Sequence, residues 1–318
     1  MSLSTDIWHL VCEDLSFNAK FNLLLVSRDF YRIFLPQAYK VVIVIGYQIP
    51  ALLRTIRHNP AIGRATRHLD YNWYSKSLSH LKKRELYEEV DAVWKIVKAR
   101  GLTKHVDGNW RNWLEGQDPD AWLATLVMSV NSLTSMSLEF WDSSYFLPLV
   151  ARVAAGKTTA APVLQRIQSV SIHMEDKINY ITSCANLEVL DYQHERDARG
   201  GTIYVDFRPI LFYNALCSQK LSLRELRLNN NGKFKNEPSW DDEPGEFDGF
   251  GSLVEFHQLC ELQIGVRTIL QYRSGEQPKV SLLDILPSSL EVLGLAHCYE
   301  KDYGAVIENL QTLLAHRE

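Results

Sequence analysis

The stretch "ARVAAGKT" at 151–158 has the residue types of a phosphate-binding loop: a small residue, four positions of any kind, then Gly156, Lys157 and Thr158. In such a loop the backbone N–H groups that open a helix cradle the phosphates. The lysine reaches the outer phosphate and the hydroxyl holds magnesium. The order of elements must therefore be strand, loop, helix. Here it is reversed. "SSYFLPLVARVAAG" carries Phe146, Leu149, Val150 and Val153 on one helical face, and Gly156 follows as a C-terminal cap. Lys157 and Thr158 then face the negative end of a helix dipole, with Pro162 and a strand beyond them. No apolar strand ending in Asp is present to hold magnesium. "AGKTTAAP" reads as a helix stop and a loop, and no nucleotide cofactor is expected.

Other reactive side chains form no better constellation. The ten histidines are dispersed and contain no H-x-x-x-H pair. His297 stands beside Cys298 just after a strand, with no third partner in the sequence, and reads as structural. No G-x-S-x-G occurs. The five cysteines (12, 184, 217, 260 and 298) are odd in number and far apart. That argues against a disulfide framework and a compact zinc site, and points to a reduced compartment, cytosol or nucleus. The acidic stretch "NEPSWDDEPGEFDGFG" (236–251) lacks the spaced oxygens of a calcium loop and reads as an insertion. No catalytic, cofactor or metal site is expected.

The elements that carry these side chains come from a repeat. Apolar residues recur in the order anchor, two residues, apolar, one residue, apolar. Clear copies are Leu133/Met136/Leu138, Ile167/Val170/Ile172, Leu187/Leu190/Tyr192, Leu223/Leu226/Leu228, Leu259/Leu262/Ile264 and Leu290/Leu293/Leu295. A weaker one is Thr66/Leu69/Tyr71. "LRELRLNNN", ending at Asn231, and "LEVLGLAHC", ending at Cys298, carry the fuller leucine-rich signature. The last two apolar positions lie two apart, so they share one face of a strand. The anchor packs at the strand entry, and an Asn or Cys after the strand can bond backbone where the chain turns. One unit is too small to bury its own face, so units must stack.

Helical patterns separate the strands. They cover 50–60, stopped by Pro60; 85–101, capped by Gly101; 118–130, opened by Asp118 and Pro119; 208–219; and 303–317, which would close the C-terminal end. The fold class is therefore α/β: a strand–helix solenoid with irregular repeats over 41–318. The run "VVIVIG" at 41–46, the longest apolar stretch, is too short to span a bilayer and reads as a buried strand.

The bulk numbers agree with a globular protein. The chain has 318 residues, is 46% hydrophobic and carries a net charge of −4, which gives no support for a general nucleic-acid binder. Asp6, Glu13 and Asp14 and the lack of a basic start argue against a secretory signal. Charge is uneven. Eight Lys/Arg and one acid fall between Arg54 and Arg84, whereas eight acids and no base fall between Glu237 and Glu261.

Residues 1–40 do not fit the repeat. "DIWHLVCEDL" places Ile7, Leu10, Val11 and Leu15 on one face, with Ser4 or Thr5 as cap. "KFNLLLVSRDFYRIFLP" places Phe21, Leu24, Leu25, Phe30 and Ile33 inward and is stopped by Pro36. Surplus apolar residues on so small a module suggest a partner surface. This segment resembles an F-box, whose pattern runs L-P-x-E-I and later L-x-x-V-S-x-x-aromatic. The matching positions are Leu3-Ser4-Thr5-Asp6-Ile7, then Leu23, Val26, Ser27 and Phe30. Ser4 stands where the family has Pro, which weakens a typical adaptor contact. Asp6 stands for Glu and keeps the charge. The remainder, from "AYK" before "VVIVI" to "ILPSSLEVLGLAHC", is similar to fungal F-box/leucine-rich-repeat proteins.

The resemblance implies a non-catalytic substrate receptor of a Skp–cullin–F-box ubiquitin ligase. Leu3, Asp6, Ile7, Val26, Ser27 and Phe30 would contact a Skp-type adaptor, which links to a cullin–RING ligase. The repeats would hold an unknown protein target, with no nucleic acid or membrane involved. Repeat proteins bind through strand faces and long loops, so Glu188, Asp191, Arg224, Arg227, Glu291 and the acidic trio Asp241, Asp242 and Glu243 are candidate target contacts. The second reading is a protein-binding scaffold whose F-box has decayed and joins no ligase.

Overall fold

The computed structural model describes residues 5–72, 83–99, 110–130, 132–139, 166–173, 181–182, 184–194, 207–230, 249–272 and 277–317. The phosphate-loop-like stretch with its preceding helix, Asn231, Gly101, Leu3 and the trio at 241–243 lie outside them. The chain divides into two units: residues 1–138 with 144–167, and residues 139–143 with 168–318.

The first unit begins with three helices, α1 (Thr5–Asp14), α2 (Phe17–Leu24) and α3 (Arg28–Ala38). The Ser16 hydroxyl caps α2 by accepting from the Ala19 N–H at 3.3 Å, and Ser27 caps α3 by accepting from the Phe30 N–H at 3.2 Å. The single helix expected over 20–36 is therefore two. Ser27 bonds the backbone locally and starts a new helix, and the turn before it throws Leu25 outward instead of inward. Pro36 does not stop α3 but lies inside it. Its ring leaves only the Arg32 carbonyl without an intrahelical donor, and both residues are exposed to water.

After the helices come β1 (Val41–Ile45), α4 (Ile49–His58), α5 (Pro60–Ala65), β2 (His68–Asn72), α6 (Lys83–Ala99), α7 (Trp110–Glu115), α8 (Pro119–Ser129) and β3 (Ser135–Glu139). Pro60 ends α4 and also opens α5, with the Asn59 side chain as cap. Asp118 caps α8 by accepting from the Ala121 N–H at 3.4 Å. Glu89 of α6 is buried and accepts from Arg54 at 2.6 Å and Arg57 at 3.0 Å, tying α6 to α4. Gly63 lets α5 approach α8 closely, since a Cβ there would stand 2.9 Å from the Ser129 carbonyl oxygen. β1 and β2 are parallel, with Val42 beside Leu69 and Val44 beside Tyr71. β1 is not the buried strand its composition suggests. Only Val44 is buried, and Ile43 is 68% exposed.

The second unit holds β4 (Ser169–His173), β5 (Val189–His194), α9 (Pro209–Leu216), β6 (Glu225–Asn230), β7 (Glu261–Gly265), α10 (Val266–Leu270), α11 (Leu282–Ile285), β8 (Val292–Ala296) and α12 (Tyr303–Arg317). Its five strands follow in chain order and pair in parallel. The register stacks equivalent repeat positions. Val170, Leu190, Leu226, Leu262 and Leu293 form one row, and Ile172, Tyr192 and Leu228 continue the next. The anchors Ile167, Leu187, Leu223 and Leu259 are fully buried at the strand entries. Each such side chain contributes about 1.5–3 kcal/mol of burial, and only stacking provides it.

Backbone bonding repeats with the same period. The Gln168 carbonyl accepts from the N–H groups of Glu188 and Val189, the Glu188 carbonyl from Arg224 and Glu225, the Arg224 carbonyl from Cys260 and Glu261, and the Cys260 carbonyl from Glu291 and Val292. In the first unit Lys40 and Arg67 do the same for β2 and β3. One carbonyl thus serves two donors at each strand entry, so β2 and β3 are built like the later repeats.

Candidate interaction surfaces

Two surfaces gather the residues that sequence reasoning picks out. The first lies on the N-terminal helices. Their interior is aromatic: the Trp8 ring stands 5.0 Å from Phe30 and 5.9 Å from Phe34, both edge-on. Cys12, Leu24, Phe34, Leu35 and Ala38 complete it. Phe30 and Ser27 therefore help build the module, one as a packed ring and one as a helix cap. Asp6 lies in the first turn of α1. Ile7 is exposed, as are Leu10 and Val11 on the same helix. Val26 is 64% exposed, beside exposed Leu25 in the turn before α3. Ile7 and Val26 are thus not needed by the core, whereas Ser27 and Phe30 are.

The second surface is the solvent face of β4–β8. Because side chains alternate along a strand, the residues between the buried rows line this face. One row runs Ser171, Asp191, Arg227, Gln263, Gly294. The row at the strand entries runs Ser169, Val189, Glu225, Glu261, Val292. Arg227 sits among three acids. It donates to Glu261 at 2.9 Å and to Glu225 at 3.4 Å, and the Asp191 charge acts on it from the neighbouring strand. The Glu261 hydrogen bond and charge, with Glu225 and Asp191 adding, push the Arg227 pKa up. The face keeps a surplus of negative charge, and its rim carries Glu188, which accepts from Gln168 at 2.8 Å, with exposed Arg224 and Glu291.

Toward the strand exits the surface turns neutral and polar. The ring of His297, which has φ of 54°, stands with Nε2 3.0 Å from the Asn229 Oδ1. These residues lie two strands apart. Continuing the register puts Gly265 of β7 between them, where a Cβ would stand at an ordinary contact distance of 3.8 Å from the His297 ring. His297 thus has a structural bond, but the partner is Asn229 and not its neighbour Cys298.

The structure also brings forward a residue with no sequence signal. Gln219 is fully buried. Its Oε1 accepts from the Leu187 N–H at 3.1 Å, and its Nε2 donates to the carbonyls of Ile181 at 2.9 Å and Cys184 at 2.7 Å. It satisfies the backbone that leads into β5 from the repeat that follows. Next to it, burial pushes the Cys184 thiol up to about 12, so this cysteine stays protonated and inert. At the other end Asp302 is buried and holds Arg267 at 3.3 Å. Among the described residues, no group of three or more His, Cys, Asp or Glu could hold a metal ion, and no helix is long and apolar enough to cross a membrane.

A family model described as a leucine-rich repeat domain matches residues 157–316, half of the chain. The match takes in β4–β8 and their helices and leaves the N-terminal helices outside. No curated protein and no solved structure matches.

Proposed function

Since the chain belongs to the leucine-rich repeat domain family, we propose that it is the non-catalytic substrate receptor of a Skp–cullin–F-box ubiquitin ligase. Leucine-rich repeat domains are in general protein-interaction modules, which supports a protein partner. The observation that carries the finer reading is the set Ile7, Leu10, Val11, Leu25 and Val26, left exposed on helices that already enclose an aromatic core of their own. A small module gains nothing from such side chains in water, and a Skp-type adaptor would cover them.

The strand face then serves as the target surface. Asp191, Glu225 and Glu261 outnumber Arg227 there, which fits a target with a basic segment. The trio Asp241, Asp242 and Glu243 would add to the same attraction. The receptor performs no chemistry of its own. It raises the effective concentration of a target lysine beside the ubiquitin-charged enzyme that the cullin–RING assembly carries. The cytosol or nucleus is where such a ligase works.

Co-purification with a Skp-type adaptor tests the reading. The native chain captures the adaptor, and an Ile7→Asp variant, altered at an exposed position and checked for its melting transition, does not. No capture by the folded native chain overturns the ligase role. The chain would then be a protein-binding scaffold with a decayed F-box, the reading that Ser4 in place of Pro and Asp6 in place of Glu favour.

A further inference from the structure

Arg227 divides the solvent face of β4–β8 into two unequal halves. Its guanidinium leans toward β7. Nε and Nη2 both donate to Oε1 of Glu261, at 3.2 and 2.9 Å, and Nη2 also reaches Glu225 of its own strand at 3.4 Å. Two of the three carboxylates around it are thus paired already. Asp191 is not. It stands beside Arg227 in the register of β5 with β6, and its charge acts on the guanidinium. Among the described residues, nothing donates a hydrogen bond to it. Its register partner on the other side, in β4, is the short side chain of Ser171.

The two halves therefore treat an incoming cation differently. On the β5 side it meets a carboxylate whose oxygens lack donors. On the β6–β7 side it meets Glu225 and Glu261 with Arg227 across them, and the like charge disfavours it. None of the three is sequestered: the side chains of Arg227, Glu225 and Glu261 are 42%, 34% and 32% exposed. Both glutamates would be within reach of a partner if Arg227 were gone.

We propose that Arg227 is a specificity-determining residue of the strand face: a resident cation that admits one basic side chain of the target, at Asp191, and rejects a second beside it. The inference rests on the reading of this face as the target surface and deepens it. The occupant is an extended protein segment that presents a single lysine or arginine over β5–β7, flanked by neutral residues. Charge complementarity selects it, since three carboxylates face one guanidinium and the unpaired one lies at Asp191. The Glu225–Arg227–Glu261 group then works by exclusion, as specific interfaces require.

Binding of the full chain to a positional-scanning peptide library at low salt tests it. The peptides have about twelve residues, enough at about 3.3 Å per residue to cross the strands of this face. The native chain selects one basic position, and a second base within about four residues of it gains less than about 2-fold. Arg227→Gln frees both glutamates, and the second base then gains about 5-fold, the upper range for an exposed ion pair. Arg227→Lys keeps the cation and the native selection. Asp191→Asn loses the preference for the first base. Glu308→Gln, on α12, changes net charge by the same amount as Asp191→Asn and leaves the selection as it was. Melting transitions equal to that of the native chain show that the variants act on binding. A native preference for one base that Arg227→Gln leaves single overturns the proposal, while the face stands as the target surface. A native chain that selects no basic position, or whose selection Asp191→Asn leaves unchanged, overturns the proposal and that reading of the face together.

Discussion

Replacing Gln219 by Leu tests how the repeats are joined. The two side chains are similar in size, so the change removes hydrogen bonds and leaves little cavity. Three buried backbone groups then lose their side-chain partner: the Leu187 N–H and the carbonyls of Ile181 and Cys184. The Ile181 carbonyl keeps the Cys184 N–H at 3.3 Å. An unsatisfied buried group costs about 1–3 kcal/mol, so the Leu187 N–H and the Cys184 carbonyl together sum to about 4 kcal/mol. Recovered apolar burial of the leucine offsets about 1 kcal/mol of this, leaving about 3 kcal/mol. For a unit of this size 1 kcal/mol shifts Tm by about 2–4 °C, so the variant melts about 10 °C lower. Scanning calorimetry, with urea unfolding followed by circular dichroism, measures it. Ser222→Ala is the control, because that hydroxyl makes only longer bonds of 3.3–3.4 Å near Gln219. A Gln219→Leu variant that melts within about 2 °C of the native chain refutes the reasoning, since the backbone into β5 would then not depend on the glutamine.

Two further outcomes follow from the first unit. Glu89→Leu removes the carboxylate that faces Arg54 and Arg57, whose side chains are 43% and 33% exposed and can turn to water. The loss in urea unfolding is therefore about 2 kcal/mol, below the 3–5 kcal/mol of a fully buried pair. Burial lowers the His68 pKa, and Asp70 opposes this only in part. Between the folded value and the ordinary 6.5 the unfolded chain binds more protons, so stability is full above 6.5 and is lost as the pH falls through that window. His68→Gln, which can still bond the Ser135 hydroxyl, flattens this part of the profile of Tm against pH.

The repeat was legible because its signal is local and recurs. Two apolar residues two positions apart, with an anchor three positions before the first, place apolar side chains on one face of a strand whatever lies around them. Stacking then leaves equivalent residues in one row, as Leu190, Leu226, Leu262 and Leu293 are. α12 was legible to the residue, as 303–317, because its apolar residues keep the helical period. α3 was not, since a single capping hydroxyl at Ser27 outweighed a pattern that would have run on through Leu25. Of the adaptor candidates, Ile7 and Val26 stand out from the core while Phe30 packs inside. Residue type alone does not separate these cases.

By itself, the sequence determined the strand–helix alternation, the anchors and the parallel stacking, since periodicity fixes which side of each element is apolar. It did not determine which apolar side finds a partner. β1 is as hydrophobic as any strand, yet Ile43 faces water at 68% exposure and only Val44 of the strand is buried. α12 carries two adjacent apolar stripes, and contact with α11 decided that Val306 and Leu313 would be buried and Ile307 and Leu314 exposed. Gln219 and the reach of His297 over Gly265 to Asn229 belong to tertiary structure alone. Their partners lie 32 and 68 residues away, and only the stacking of repeats sets the distance between them.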